Sequence, residues 1–136
     1  VTDLAILEGA IIKGTCTTLT LTASDLVGFL FASELTDTAD WHMVYNGGTT
    51  TGEVLSTSVD ADVTAIAGEF NILRLEIDNN GTARWYIDGV LKQTKEGAVS
   101  TTTDLSAQVI CEEKVTGNAS VDLDYILIRA NRDWTV

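Results

Sequence analysis

The residues that could carry nucleophilic catalysis are few in this sequence. His42, in Trp41-His-Met43, is the single histidine, and an activated serine or cysteine nucleophile needs a base of this kind within hydrogen-bond reach. No nucleophile elbow accompanies it, and no other residue stands at metal-ligand spacing from it. The sequence therefore gives no support to a catalytic triad. We expect His42 on the polar side of a strand, at the surface or satisfied in an interface.

The chain has two cysteines, Cys16 and Cys111. Two thiols are too few for a disulfide framework, and these two lack the spacing of metal ligands. Each lies in a β-like run, where a thiol packs as a small apolar group. The sequence favours free, buried thiols and leaves open a bridge between neighbouring strands.

A glycine-rich run, Asn46-Gly-Gly-Thr-Thr-Thr-Gly52, is the stretch to compare with a phosphate cradle. A phosphate-binding loop needs a lysine and a strand-to-helix context, and this run has neither. We therefore interpret the run as a loop in which the glycines serve turn geometry.

Charge and composition narrow the classes of partner. Acidic residues outnumber basic residues 20 to 8, which gives a formal charge of −12. Nucleic acids and anionic membranes require clustered Lys and Arg, and no apolar run approaches the roughly 18 residues of a membrane span. The 136 residues, 45% of them hydrophobic, suit one globular domain. We expect a single domain over residues 1–136 that binds neither nucleic acid nor membrane.

The elements that must position these residues are β-strands. Threonine, valine and isoleucine are abundant, and their β-branched side chains suit a pleated surface. No window shows a helical stripe, and short apolar runs recur between turn signals, as in a sandwich or barrel. Strands are predicted at Leu4–Lys13, Thr15–Ala23, Leu26–Ala32, Trp41–Asn46, Glu53–Asp60, Phe70–Asp78, Thr82–Asp88, Val90–Thr94, Leu105–Cys111 and Ser120–Ala130.

The segment from residue 70 to residue 94 predicts a three-strand meander. Its first two strands alternate apolar and polar residues, so one face of each is buried. Asn79-Asn80-Gly81 and Asp88-Gly89 are the two tight-turn signals that reverse the chain. Trp85 shares the buried face with its apolar neighbours, and Tyr86 lies on the opposite face.

The last predicted strand changes character along its length. Asp122 and Asp124 face away from their apolar neighbours, whereas both faces are apolar from Tyr125 to Ile128. This pattern is typical of a strand that runs into a covered centre.

These motifs resemble a known family. Leu73-Arg-Leu-Glu-Ile-Asp78, Gly81 and Trp85-Tyr-Ile-Asp-Gly-Val90 are similar to the central hairpins of concanavalin A-like (laminin-G-like) jelly-roll domains. Ala98-Val-Ser100, Leu105 and Val121-Asp-Leu-Asp-Tyr-Ile126 with Arg129 and Arg132 continue the pattern, so the resemblance covers residues 68–134. The compact ending resembles domains of tailed-phage virion proteins, such as capsid decorations and tail or fibre modules. The resemblance implies an all-β fold, an antiparallel jelly-roll β-sandwich.

Glucanases of this fold carry closely alternated carboxylates on one strand, and a retaining pair must lie about 5–5.5 Å apart. Glu34, Asp37 and Asp40 are spaced i, i+3, i+6, which does not place all three on one strand face. Asp122 and Asp124 share a face, but no third acid accompanies them. We expect a protein that is not an enzyme.

Lectins of this fold often hold calcium through oxygen ligands from acidic loops. The conceivable donors are Asp60 with Asp62, or Asp78 with Asn79 and Asn80. Neither stretch matches the lectin metal motif, and the second is already explained as a turn. We expect no cofactor, with calcium as the minor alternative.

The resemblance also marks one candidate surface. In a jelly roll, the face that carries Tyr86 is either a concave sheet that binds carbohydrate or a surface packed against a neighbouring subunit. The predicted interface or glycan face consists of Arg74, Arg84, Tyr86 and Asp88.

Three functions remain open at this point. We favour a non-enzymatic virion structural protein that decorates the exterior of a phage capsid, contacts the major capsid protein or other virion proteins, and forms a homo-oligomer. The second is a carbohydrate-binding, lectin-like module of a tail fibre or a secreted, extracellular protein. The third, a glycoside hydrolase, lacks a paired-carboxylate strand.

Overall fold

The computed structural model describes residues 3–5, 24–32, 35–54, 58–112 and 121–129. Within these residues the chain forms β-strands and no helix, so none of them lies in a helix long and apolar enough to cross a membrane. The strands are β1 (Asp3–Ala5), β2 (Leu26–Phe31), β3 (Asp40–Asn46), β4 (Val59–Thr64), β5 (Leu73–Ile77), β6 (Ala83–Ile87), β7 (Val90–Lys95) and β8 (Ile110–Glu112).

The strands form two antiparallel sheets. The larger one, which we call the large sheet, has five strands in the order β4-β3-β2-β1-β8. The smaller one, which we call the meander sheet, has the order β5-β6-β7. The all-β class predicted from the sequence is therefore confirmed.

The centre of the large sheet is the hairpin of β2 and β3. Leu26–Leu30 and Trp41–Tyr45 are buried without alternation, the pattern of strands covered on both faces. The two strands pair antiparallel with Phe29 opposite Met43. This hairpin supplies the apolar surface against which the meander sheet packs.

The core lies between the two sheets. Trp85 of β6 is fully buried, and its indole N–H donates to the backbone oxygen of Gly28 in β2 at 2.8 Å. The rings of Tyr45 and Trp85 lie 5.9 Å apart in a tilted arrangement, a favourable geometry for aromatic pairs. The core cluster contains Val27, Phe29, Trp41, Met43, Tyr45, Ala61, Ala83, Trp85, Ile87, Ala98 and Val99.

The meander prediction is confirmed, as are the strands at Leu26–Ala32 and Trp41–Asn46. Two others shift. The strand predicted at Glu53–Asp60 begins at Val59 and continues to Thr64, because Ala61 is buried against the core while Glu53 forms an isolated bridge to Tyr45. The strand predicted at Leu105–Cys111 is confined to β8.

The strand predicted at Ser120–Ala130 is wrong for residues 121–129, which form no strand and are exposed throughout. A strand needs a hydrogen-bonded neighbour as well as an alternating pattern. Within Leu4–Lys13, only residues 4 and 5 are described, and they belong to β1. The strand predicted at Thr15–Ala23 falls outside the described residues, as does Cys16.

Candidate functional site

The outer face of the meander sheet carries four charged or aromatic side chains, Arg74, Glu76, Arg84 and Tyr86, which we call the polar face. Alternation along β5 and β6 turns these residues away from the core. Antiparallel pairing sets Arg74 opposite Tyr86 and Glu76 opposite Arg84. Three of the four residues of the predicted interface or glycan face therefore lie on one face of the sheet.

The side chains of the polar face bind one another. The Arg74 guanidinium lies 3.9 Å from the centre of the Tyr86 ring, within cation–π distance. The Tyr86 hydroxyl donates to Oε2 of Glu76 at 3.1 Å, and Oε1 of Glu76 is 3.5 Å from Arg74 Nη1. One face of the tyrosine ring is thus covered by the Arg74 guanidinium.

Arg84 forms the strongest ion pair of this surface. Its Nη1 and Nη2 donate to the two carboxylate oxygens of Asp78 at 3.0 and 2.6 Å. This forked geometry matches guanidinium to carboxylate. The hydrogen bonds from Arg84 hold the pKa of Asp78 below its ordinary value, and the pKa of Arg84 is raised in turn. At neutral pH both groups are charged and paired.

Asp88 does not join the polar face, contrary to the prediction. It begins the Asp88-Gly89 turn with φ +51°, and its carboxylate accepts from the Ile72 backbone N–H and the Asn71 amide, both at 2.8 Å. Asn71 also accepts from the indole N–H of Trp41 at 3.0 Å. Asp88 therefore fastens the turn to β5 and, through Asn71, to the large sheet.

Asp88→Asn should make the free energy of unfolding less dependent on pH in the acidic range. The hydrogen bonds from Ile72 and then Asn71 lower the pKa of Asp88, so its stabilising contribution is complete above the unfolded-state pKa near 4 and disappears as pH falls through the folded value. Asparagine tolerates a positive φ. Urea titrations should show a loss of about 1 kcal/mol or less at pH 7, because solvent screens the group. An undiminished difference at pH 2 would contradict this account.

His42 is buried, so the prediction of a surface position on the polar side of a strand is wrong. Its Nδ1 lies 3.1 Å from the Ser58 hydroxyl, and its Nε2 lies 3.4 Å from the backbone oxygen of Asp37. Strand β3 is covered on both faces, which alternation could not reveal. The histidine is satisfied, as expected, but it lies inside the large sheet.

The acidic candidates have local partners. Asp60 accepts from the backbone N–H of Asp62 at 2.7 Å, and Asp62 has φ +50°. Asn80 accepts from the Thr82 N–H at 3.0 Å. Within the described ranges, no three histidine, cysteine or carboxylate side chains lie close enough to hold a metal ion. Glu34 falls outside those ranges.

Three loops meet at one end of the two sheets. Thr50 donates its backbone N–H to Gly97 O at 3.0 Å and its hydroxyl to Glu96 O at 2.8 Å. Ala98 N–H donates to Gly81 O at 2.9 Å. The glycine-rich run thus serves loop geometry, as predicted. The loops enclose an open cleft of about 180 Å³ lined by Gly47, Gly48, Thr49, Asn80, Gly97, Val99, Ser100 and Thr101.

A polar contact between the sheets is not evident from the sequence. Lys95 Nζ of β7 lies 4.0 Å from Glu53 Oε1 and 5.3 Å from the centre of the Tyr45 ring. Burial raises the pKa of Tyr45, and the neighbouring Tyr45 hydroxyl raises the pKa of Lys95. Alternation places Lys95 on the inner face of β7, but only the packed structure shows which groups it meets.

The second feature that sequence reasoning missed is an exposed apolar segment, residues 121–129. Its large side chains Tyr125, Ile126, Leu127 and Ile128 are 53–67% exposed. Val121 and Leu123 are also exposed. The apolar pattern of residues 121–129 predicts a buried strand, but the same pattern is also typical of a segment whose apolar side chains are exposed in a single chain.

Comparison of the chain with family models, with curated proteins and with solved structures found no match. The class that the described residues define is an all-β protein with two facing antiparallel sheets, a polar face and an exposed apolar segment.

Proposed function

We propose that the chain is a non-enzymatic structural protein of a virion, most simply a decoration protein on the exterior of a phage capsid, which acts by assembling with other subunits. The observation that carries this proposal is the exposed apolar segment. Folded monomers rarely leave large contiguous apolar patches in water, and such patches mark interaction sites. A protein whose work is subunit contact needs a surface of this kind.

The fold supports the same proposal. The meander sheet packs against the β2–β3 hairpin, as expected of a jelly-roll sandwich, and we propose jelly-roll connectivity for the whole chain. Because the sequence resembles domains of tailed-phage virion proteins, the proposed partners are the major capsid protein, other virion proteins and further copies of the chain. Within the polar face, Arg74, Glu76 and Tyr86 contact one another, and Arg84 pairs with the neighbouring Asp78. These pairings favour a structural role over a catalytic one.

The proposal is tested by light scattering of the protein with and without assembled particles from its source. The wild-type chain should bind particles stoichiometrically. Ile128→Asp should bind about tenfold or more weakly, because burying an isoleucine contributes about 1.5–3 kcal/mol. Ile66→Asp is the matched control, since Ile66 is also exposed but lies outside the apolar segment. A wild-type monomer that ignores particles would overturn the proposal, as would unchanged binding of Ile128→Asp.

A lectin-like, carbohydrate-binding module is the second candidate, and the observation in its favour is an aromatic ring flanked by charged groups on one sheet face. A sugar that stacks on Tyr86 must first displace the Arg74 guanidinium, an exposed cation–π contact that contributes about 0.5–1 kcal/mol. A glycan array would be probed with wild type, Tyr86→Ala and Ile128→Asp. Glycan binding that is lost in Tyr86→Ala and kept in Ile128→Asp would move the assignment to this candidate.

A further inference from the structure

We propose that the apolar segment of one copy adds to the free edge of β7 in a second copy as an antiparallel strand. This inference rests on the assembly proposed above and names the surface that receives the segment. Extended peptides bind exposed sheet edges through backbone hydrogen bonds, with side chains setting the specificity. Three properties of the chain select this pairing: which edges are open, which edge matches the segment in charge, and which direction that match requires.

The two sheets present edge strands at β4, β8, β5 and β7, since each of these has one strand neighbour among the described residues. β7 pairs with β6 alone within that part of the chain. It begins with Val90 and Leu91, which are 58% and 49% exposed. An edge with unpaired backbone groups and exposed apolar side chains is a template for another strand.

Charge distinguishes β7 from the other edges. The apolar segment carries Asp122 and Asp124, and β7 contains no acid. Lys95 lies on the inner face of β7 beside Glu53 and Tyr45, so Lys92 is the lysine of this strand that remains for the pairing. Each of the other edge strands contains at least one acidic residue: Asp60 and Asp62 in β4, Glu76 in β5 and Glu112 in β8. Like charges placed directly opposite are destabilising in a sheet.

The order of residues along both strands then fixes the direction. Apolar residues come first in β7 and lysines follow, whereas aspartates come first in the segment and apolar residues follow. An antiparallel arrangement brings Val90 and Leu91 toward the apolar end of the segment and Lys92 toward Asp124. The register shift of β7 between Leu91 and Gln93 falls at this lysine. A parallel arrangement that sets Lys92 beside Asp124 would instead set Asp122 beside Val90. Only the antiparallel direction places apolar residues beside apolar residues and the aspartates beside lysine.

The partner is a second copy because the segment is exposed along its length within one chain and forms no strand with its own β7. Every copy offers both a segment and an edge. Reciprocal exchange between two copies closes a dimer, whereas head-to-tail exchange gives a ring where the rotation between subunits closes and a filament where it does not.

The test uses charge reversal in two differently tagged full-length chains. Lys92→Glu alone and Asp124→Lys alone should each weaken self-association at least about tenfold, because each places like charges in the homotypic pair. An equimolar mixture of the two variants should restore association. In the mixed complex the two reversed side chains meet in one contact, and the two native side chains, Lys92 and Asp124, meet in the other. Light scattering over a concentration series measures the strength of self-association, and native mass spectrometry gives the composition of the complex.

Asp104→Lys is the matched control, because Asp104 is exposed and its reversal changes the net charge by the same amount as Asp124→Lys. It should leave association unchanged. If a chain carrying both Lys92→Glu and Asp124→Lys associates but the mixture does not, the segment pairs with its own chain and the second-copy inference is overturned. If neither single variant weakens association, the proposed pairing of the segment with β7 is wrong, but the proposed assembly function is not contradicted. If the wild-type chain associates with nothing at any concentration, the proposed function fails as well.

Discussion

Trp85→Ala should lower the free energy of unfolding by about 3–5 kcal/mol, the usual cost of truncating a buried aromatic residue. Trp85 is fully buried at the centre of the interface between the sheets. The substitution removes its ring from the Tyr45 contact and leaves the Gly28 carbonyl without the indole donor. Urea unfolding followed by circular dichroism measures the loss. In a domain of this size that is a large part of the total stability.

Two variants separate the causes of this loss. Trp85→Phe keeps most of the apolar volume but removes the donor to Gly28, and should cost about 1–3 kcal/mol. Tyr86→Ala alters the next residue on the outer face, which is only partly buried, and should cost less than Trp85→Ala. If Trp85→Ala were no more harmful than Tyr86→Ala, the meander sheet would not pack on the large sheet through this residue.

The meander could be predicted because its signals are local. Alternation in β5 and β6 fixes which face is buried, and the turn sequences Asn79-Asn80-Gly81 and Asp88-Gly89 fix where the chain reverses. The same alternation placed Arg74, Arg84 and Tyr86 on one face. Long-range pairing is different in kind, because nothing near Leu4 in the sequence says that β1 lies between β2 and β8.

The errors at the candidate site have the same origin. Asp88 continues the alternation of β6, and alternation alone therefore predicts it on the polar face. In the structure its carboxylate accepts hydrogen bonds from Ile72 and Asn71 in the turn instead. Because histidine is polar, the sequence predicts His42 at the surface. It is buried because β3 lies inside the large sheet and is covered on both faces. For residues 121–129 the pattern predicts a strand, whereas the described residues give this segment no hydrogen-bonded strand neighbour. The local sequence pattern predicts which face of a strand is buried, whereas the residues that each side chain contacts depend on how the strands pack.

Substitutions at Gly81 and Gly89 test how closely the loops at residues 81 and 99 approach each other. Both have nearly the same positive φ, +81° and +80°. A Cβ at Gly89 would have nothing within 4 Å, whereas a Cβ at Gly81 would lie 2.5 Å from the backbone oxygen of Val99. The comparison therefore separates the cost of a left-handed backbone from the cost of a steric clash.

Gly89→Ala should cost about 1–2 kcal/mol, the penalty of a left-handed conformation for an L-residue. Gly81→Ala should cost about 1–3 kcal/mol more, since the added methyl group overpacks a site where the nearest atom, Val99 O, belongs to the backbone. The clash also pushes apart the strand-end contact in which Gly81 O accepts from Ala98 and Val99. Equal losses for the two variants in urea unfolding would show that the loops at 81 and 99 do not approach as closely as this packing requires.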